Sequence, residues 1–155
     1  MKIGILSDTH GHLDPQILHL FQGVDHILHA GDVGFPSLIL DLEAIAPVTA
    51  VRGNTDDPRF ELRDLEVVEL GGRKFLLYHI VDPNALTERI QLSFLHQAPD
   101  VVVFGHTHRR HHELMGARLF INPGYAGAPR HATARSVAIL EITGNELTVD
   151  FHGLD

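Results

Sequence analysis

The chain has 155 residues, 44% of them hydrophobic, a formal net charge of -8, and 13 histidines but neither cysteine nor tryptophan. A chain this long buries about 70% of the surface its unfolded form exposes, enough for one core, so residues 1–155 read as a single globular domain and not as a disordered chain. The 20 acidic against 12 basic side chains argue against a protein that grips nucleic acid through its phosphates, and the lack of cysteine excludes disulfides, iron–sulfur clusters and thiolate zinc sites.

The first apolar run, residues 3–6, is too short for the core of a signal peptide. No stretch approaches the ~20 apolar residues of a membrane span, so the expectation is a cytoplasmic protein with no membrane partner. Further strand-type runs follow at 26–29, 48–51, 75–78 and 101–104. Helical segments alternate with them: 15–22, with Asp14 as N-cap and Pro15 at the first helical position, a second from near Pro36, and a third over 84–96. That alternation is the pattern of βαβ units and a parallel sheet. The remaining runs are paired around Gly71-Gly72, Gly116 and Gly144-Asn145, which read as hairpin turns between antiparallel strands. The fold class is α/β with a mixed sheet, or two sheets packed face to face.

Each of the five apolar runs ends close to a side chain able to bind a metal: Leu6 before Asp8, His29 before Asp32, Val51 before Asn54, Tyr78 before His79 and Phe104 before His106. In open α/β sheets the functional crevice lies outside the carboxyl ends of the strands, so these residues converge although they are far apart in sequence. Gly31, Gly53 and Gly105, each directly before one of them, are expected to let the chain turn sharply there. Asp8 with His10, and His106 with His108, stand two apart, and in extended backbone such pairs point the same way. Asp8, His10, Asp32, Asn54, His79, His106 and His108 thus offer four imidazoles, two carboxylates and one amide. Such a set suits two divalent ions about 3.5 to 4 Å apart that share a carboxylate. Nitrogen and oxygen donors without sulfur favour Mn, Fe, Co, Ni or Zn over calcium.

Six blocks resemble the calcineurin-like metallophosphoesterases, in particular their small bacterial and archaeal phosphodiesterase branch. They are Ser7-Asp8-Thr9-His10-Gly11, Gly31-Asp32-Val33, Arg52-Gly53-Asn54-Thr55-Asp56, Leu77-Tyr78-His79, Gly105-His106-Thr107-His108 and Asn122-Pro123-Gly124. The resemblance implies a four-layer αββα sandwich of two mixed sheets with metals at the strand ends. It implies one ion held by Asp8, His10, Asp32 and His108, and a second held by Asp32, Asn54, His79 and His106, with Asp32 bridging. Three blocks depart from the family's pattern. Thr55 stands where many members carry a histidine thought to assist the leaving group, which leaves the general acid unassigned. His79-Ile80-Val81 replaces the usual His-Gly-His, and Tyr125 follows Gly124 where serine is usual.

The expected function is hydrolysis of small phosphodiesters by metal-activated water or hydroxide at a dinuclear centre, manganese first among the metals, with Asp8, Asp32 and Asn54 as catalytic residues. Four positive charges from two ions against the two of Asp8 and Asp32 make a locally cationic pocket on an acidic protein. Arg52 and Arg130 are candidate phosphate clamps, and His12 and His131 candidates for supporting a ligand or acting as an acid. Nucleic acid is not the expected partner, and the sequence leaves a homo-oligomer open. Three alternatives stand beside this reading: a phosphomonoesterase, a metallonuclease, and a non-catalytic scaffold, because the same fold includes a retromer subunit that works by binding proteins. Occupancy of all seven ligand positions favours the enzyme.

Overall fold

The computed structural model describes all 155 residues. Alternation of side chains in strand β1 (Lys2–Leu6) sends Ile3 and Ile5 into one core and Leu6 into another. Helix α1 (Pro15–Leu20) is capped by the Asp14 carboxylate, which accepts the N–H of Gln16, and stops two residues short of the predicted end. Gly4 lets the ring of Phe21 lie flat on the sheet; a β-carbon at Gly4 would sit 2.9 Å from it. Strand β2 (His26–His29), helix α2 (Pro36–Glu43) and strand β3 (Val48–Ala50) complete two parallel βαβ units.

The Gly71-Gly72 turn joins strands β4 (Leu65–Leu70) and β5 (Arg73–Tyr78) into the expected antiparallel hairpin. Helix α3 (Glu88–Gln97) starts four residues later than its apolar spacing predicts, because Thr87 supplies the cap to Ile90 while Asp82 closes a local turn on the N–H of Asn84. Strand β6 (Val101–Val103) follows, then the hairpins β7 (Arg110–Met115) with β8 (Arg118–Pro123) and β9 (Ser136–Thr143) with β10 (Glu146–Gly153), turning at Gly116 and at Gly144-Asn145.

The strands form two mixed five-stranded sheets, ordered β10-β9-β1-β2-β3 and β4-β5-β6-β8-β7. Ile3, Ile5, Leu28, Phe75, Val103 and Ile121 are fully buried between them. Burying each side chain of this kind contributes roughly 1.5–3 kcal/mol. On the outer face of the first sheet Ile17 of α1 and Leu38 and Leu42 of α2 pack against Leu6 and Ile27, and on the outer face of the second Phe94 of α3 packs with Val102 and Phe120. The result is the four-layer αββα sandwich. The C-terminus is tied to the cap of α1 by Arg135, almost wholly buried, whose guanidinium donates to Asp14 and Asp155 and to the carbonyls of Gly127 and Leu154. In both sheets the central strands run parallel, so the carboxyl ends of β1, β2 and β3 and those of β5 and β6 leave the sandwich along one edge.

Candidate metal centre

Asp8 is fully buried and its two oxygens have different tasks. Oδ2 accepts the Ser7 hydroxyl at 2.7 Å and the His106 N–H at 3.1 Å. Oδ1 has no hydrogen-bond partner and faces three imidazoles, His108 at 3.2 Å, His79 at 3.8 Å and His10 at 3.9 Å. Asp32 repeats the design. Its Oδ1 accepts the N–H of Thr55, and Oδ2 lies 3.2 Å from His79 Nε2 and 3.8 Å from His10 Nε2.

His79 is oriented from behind: Nδ1 donates to the carbonyl of Ala30 at 2.7 Å, which aims Nε2 into the site. The buried atoms without an aligned hydrogen-bond partner are Asp8 Oδ1, His10 Nε2, His79 Nε2 and His111 Nε2, and the first three converge here. Buried polar atoms are nearly always paired, so a cluster of three unpaired ones is what a cation site needs. Two groups have ligand atoms within 4.8 Å of one another, Asp8-His10-His108 and Asp8-Asp32-His79. These residues therefore fit a divalent cation with nitrogen and oxygen donors.

His106 and Asn54 stand further out, on the exposed rim. His106 Nδ1 donates to Asn54 Oδ1 at 3.1 Å, and its ring centroid is 5.4 Å from that of His79. All seven expected ligands thus lie at one strand-end patch. Asp8 belongs to both close groups, while the expected bridge, Asp32, faces His10 and His79 through a single oxygen.

Burial alone would raise the Asp32 carboxyl, but the contact with His79 and the hydrogen bond from Thr55 hold it well below the usual carboxylate range. Burial opposes charge on His79 as well, yet Asp32, Asp8 and the Ala30 carbonyl raise it above the ordinary imidazole value. The field at this point favours a cation.

The expectation that Asp8 with His10, and His106 with His108, are extended pairs is corrected. Seven non-glycine residues have positive φ, and five of them are Asp8, His10, Asp32, His106 and His108. The chain alternates sharply at these positions, and left-handed backbone, not a strand, aims the side chains. The role expected of the glycines is corrected in part. Gly31 has φ +102° and does turn, whereas Gly53 and Gly105 have no such angle. They provide room: a β-carbon at Gly53 would overlap the Asp32 carboxylate, and one at Gly105 would overlap the Ser7 hydroxyl.

Two supporting residues, Asp56 and Asn122, have no role that their sequence context predicts. Asp56 accepts three backbone N–H groups, those of Val33, Gly34 and Gly53, and so ties the Asp32 loop to the Asn54 loop. Asn122 donates to the Gly105 carbonyl and to the Thr107 hydroxyl. Both lie in the quoted blocks, which was the only signal available. His29 is fully buried, accepts the N–H of Gly31 at Nδ1 and therefore donates from Nε2 to the Thr9 hydroxyl; burial, followed by the neighbouring His79, pushes its pKa down to about 3. Tyr125 is buried behind the site, its ring 4.8 Å from that of His108, and its hydroxyl donates to the Ala128 carbonyl.

The candidate phosphate clamps differ. Arg52 lines a small cleft beside Asn54 and His79, but its guanidinium is engaged by Asp64 and the carbonyl of Pro58. Arg130 stacks on Tyr125 at 4.7 Å and has no carboxylate partner. His12 and His131 belong to neither close group of ligand atoms.

Residues 1–145 match the calcineurin-like phosphoesterase superfamily domain. The chain belongs to that superfamily. A probable metallophosphoesterase of Methanothermobacter thermautotrophicus is 33% identical over 161 aligned positions, covering 97% of this chain and 91% of that protein. A protein of Methanocaldococcus jannaschii named as a phosphodiesterase is 34% identical, covering 80% of this chain and 83% of its own length. Among solved structures, a Vps29 variant from Entamoeba histolytica aligns with a TM-score of 0.80 at 25% identity, covering 99% of this chain and 93% of that one. The phosphoesterase superfamily is metal-dependent, which agrees with the orphaned ligand atoms. No helix is long and apolar enough to cross a membrane.

Proposed function

We propose that this calcineurin-like phosphoesterase is a phosphodiesterase acting on small phosphodiesters in the cytoplasm, with two divalent cations at the strand-end patch. Asp8, His10, Asp32 and His108 hold one, and Asp32, Asn54, His79 and His106 the other. The observation that carries the reading is the convergence of Asp8 Oδ1, His10 Nε2 and His79 Nε2, buried and unpaired, beside Asp32 Oδ2. The kinship with a named phosphodiesterase supports a diester over a monoester. Divalent cations bound there, manganese first and Ni, Fe, Co or Zn as alternatives, supply Lewis acidity and activate water for in-line displacement.

The protein's own contribution is to fix the donors before substrate arrives. Thr55 and Ser7 each tie one oxygen of a carboxylate and leave the other free, and the Ala30 carbonyl sets the His79 tautomer. We assign Arg130 to an oxygen of the phosphoryl group; its stacking on Tyr125 and its lack of a carboxylate partner support this. The net charge of -8 argues against nucleic acid as the substrate.

The test is hydrolysis of bis-p-nitrophenyl phosphate with manganese, together with metal analysis of the purified protein. Activity should vanish in chelator and fall at least about 100-fold in Asp32→Ala and His106→Ala. Equal turnover in those variants would end the assignment. Stoichiometric metal without turnover on any phosphoester would instead favour a binding scaffold.

A further inference from the structure

The 12 lysines and arginines are not used evenly. Arg52, Arg59, Arg63, Arg89 and Arg135 pair with carboxylates, and Arg73, Lys74 and Arg118 donate to backbone carbonyls. Lys2, Arg109, Arg110 and Arg130 have neither kind of partner. Three of these four stand beside the candidate ligand His108. Arg109 and Arg110 line a cleft of about 580 Å³ together with His108, Thr107 and Thr133, and Arg130 reaches its edge through a backbone bridge to Thr133.

Two of the three guanidiniums are held without being neutralised. Arg110 lies over the ring of Phe151 at 5.6 Å and Arg130 over Tyr125 at 4.7 Å. Aromatic faces position an arginine while leaving its N–H groups free to donate. No carboxylate lines this cleft, whereas the cleft beside Asn54 has Asp64, and the one beside His106, which Arg109 and Arg110 border from their other side, has Asp82. On a chain of net charge -8, free cations gathered against one flank of a metal site form a local anion receptor.

We infer that this cleft is a second anion subsite, and that the substrate carries a phosphate in addition to the one hydrolysed. Arg109 and Arg110 hold that second phosphate, with Arg130 between it and the scissile group. The substrate class is therefore a small phosphodiester bearing a further phosphomonoester, as in a nucleotide phosphorylated on a second hydroxyl. This inference rests on the proposed phosphodiesterase reading and narrows it.

Two chromogenic esters test it: the p-nitrophenyl ester of thymidine 5'-phosphate, and the same ester carrying a 3'-phosphate. With manganese, kcat/KM should favour the 3'-phosphorylated ester by about tenfold or more, the effect of one or two charge-assisted hydrogen bonds. The preference should collapse in the exposed-site double variant Arg109→Gln/Arg110→Gln and persist in Lys2→Gln. Equal kcat/KM for the two esters, or a preference that survives in the double variant, would overturn the subsite while leaving the phosphodiesterase reading intact. If neither ester is cleaved, binding decides the subsite, and the phosphodiesterase reading falls only if bis-p-nitrophenyl phosphate is also left intact. Thymidine 3',5'-bisphosphate should then shift the amide resonances of residues 107–110 in the wild type and not in the double variant; shifts confined to the Asn54 and His79 cleft would refute it.

Discussion

Gly53 presses on Asp32 so closely that a single added methyl group would overlap both the Asp32 carboxylate and its backbone nitrogen. Gly53 does not have positive φ, so the backbone itself tolerates a side chain. Gly53→Ala therefore isolates a steric effect on one ligand. Unfolding stability should drop by about 1–3 kcal/mol through overpacking. Manganese affinity should drop about 10- to 100-fold because Asp32 is displaced. Calorimetry of metal binding beside thermal denaturation measures both, and wild-type affinity in the variant would refute the proposed role of Asp32.

Asp56 touches no candidate ligand side chain, yet its carboxylate accepts the N–H groups of Val33, Gly34 and Gly53 at 3.1, 2.9 and 2.8 Å. Asp56→Ala would leave three backbone donors without partners. The expected cost is about 2–4 kcal/mol in urea denaturation, since two of the three orphaned donors, those of Val33 and Gly53, are buried, while that of Gly34 can turn to water. Loosening the two ligand loops should also lower kcat more than it raises KM.

Arg135 predicts an acid-dependent term in stability. Burial alone would raise the Asp14 carboxyl, but the hydrogen bond from Gln16 and the Arg135 guanidinium hold it below its usual range. A depressed carboxyl contributes stability that is fully present above the unfolded value of about 3.9 and is lost as pH falls through the folded value. Arg135→Met should cost about 3 kcal/mol near neutral pH, because it strands a nearly buried carboxylate. The difference in Tm between wild type and variant should shrink from pH 5 toward pH 2, on the order of the range over which the carboxylates protonate. A difference that stays constant with pH would show that Arg135 acts through packing alone.

Thr55 stands at the rim, its N–H on Asp32 Oδ1 and its hydroxyl 3.5 Å from His10 Nδ1. A hydroxyl there is no proton donor of suitable acidity for a departing alkoxide. Across aryl diesters whose phenols span about three pKa units, kcat/KM should fall roughly 100-fold toward the least acidic phenol. Thr55→His should flatten that slope. A flat dependence in the wild type would mean that another residue serves as the acid.

The strand-end positions of Asp8, Asp32, Asn54, His79 and His106 were legible in the sequence because a short, near-continuous apolar run announces where a buried parallel strand stops. The glycine turns likewise marked the three hairpins. Which sheet each hairpin joins was not legible. Strands β7 and β8 border the second sheet while β9 and β10 return to the first, and the alternation of β9 reads alike in either. Nor could spacing show that Asp8, His10, Asp32, His106 and His108 sit in left-handed backbone, since even for aspartate and histidine, which are enriched there, only a minority of positions adopt it. Asp56 and Arg52 illustrate a further limit: the first binds backbone 22 and 23 residues away, and the second is taken by Asp64, 12 residues on. Partners of that kind are decided by the packed loops and leave no local pattern.

The five left-handed ligand positions have a consequence for how this chain can change. Each non-glycine residue held in that conformation costs on the order of 1–2 kcal/mol relative to right-handed backbone, and glycine would remove most of the cost. Selection for thermal robustness alone would therefore erode the ligands one at a time, with each loss a gain in folding. If these five residues hold metal as proposed, only continued demand for it opposes that drift. A descendant freed from the demand would keep the sandwich, become harder to melt, and have no gradual route back.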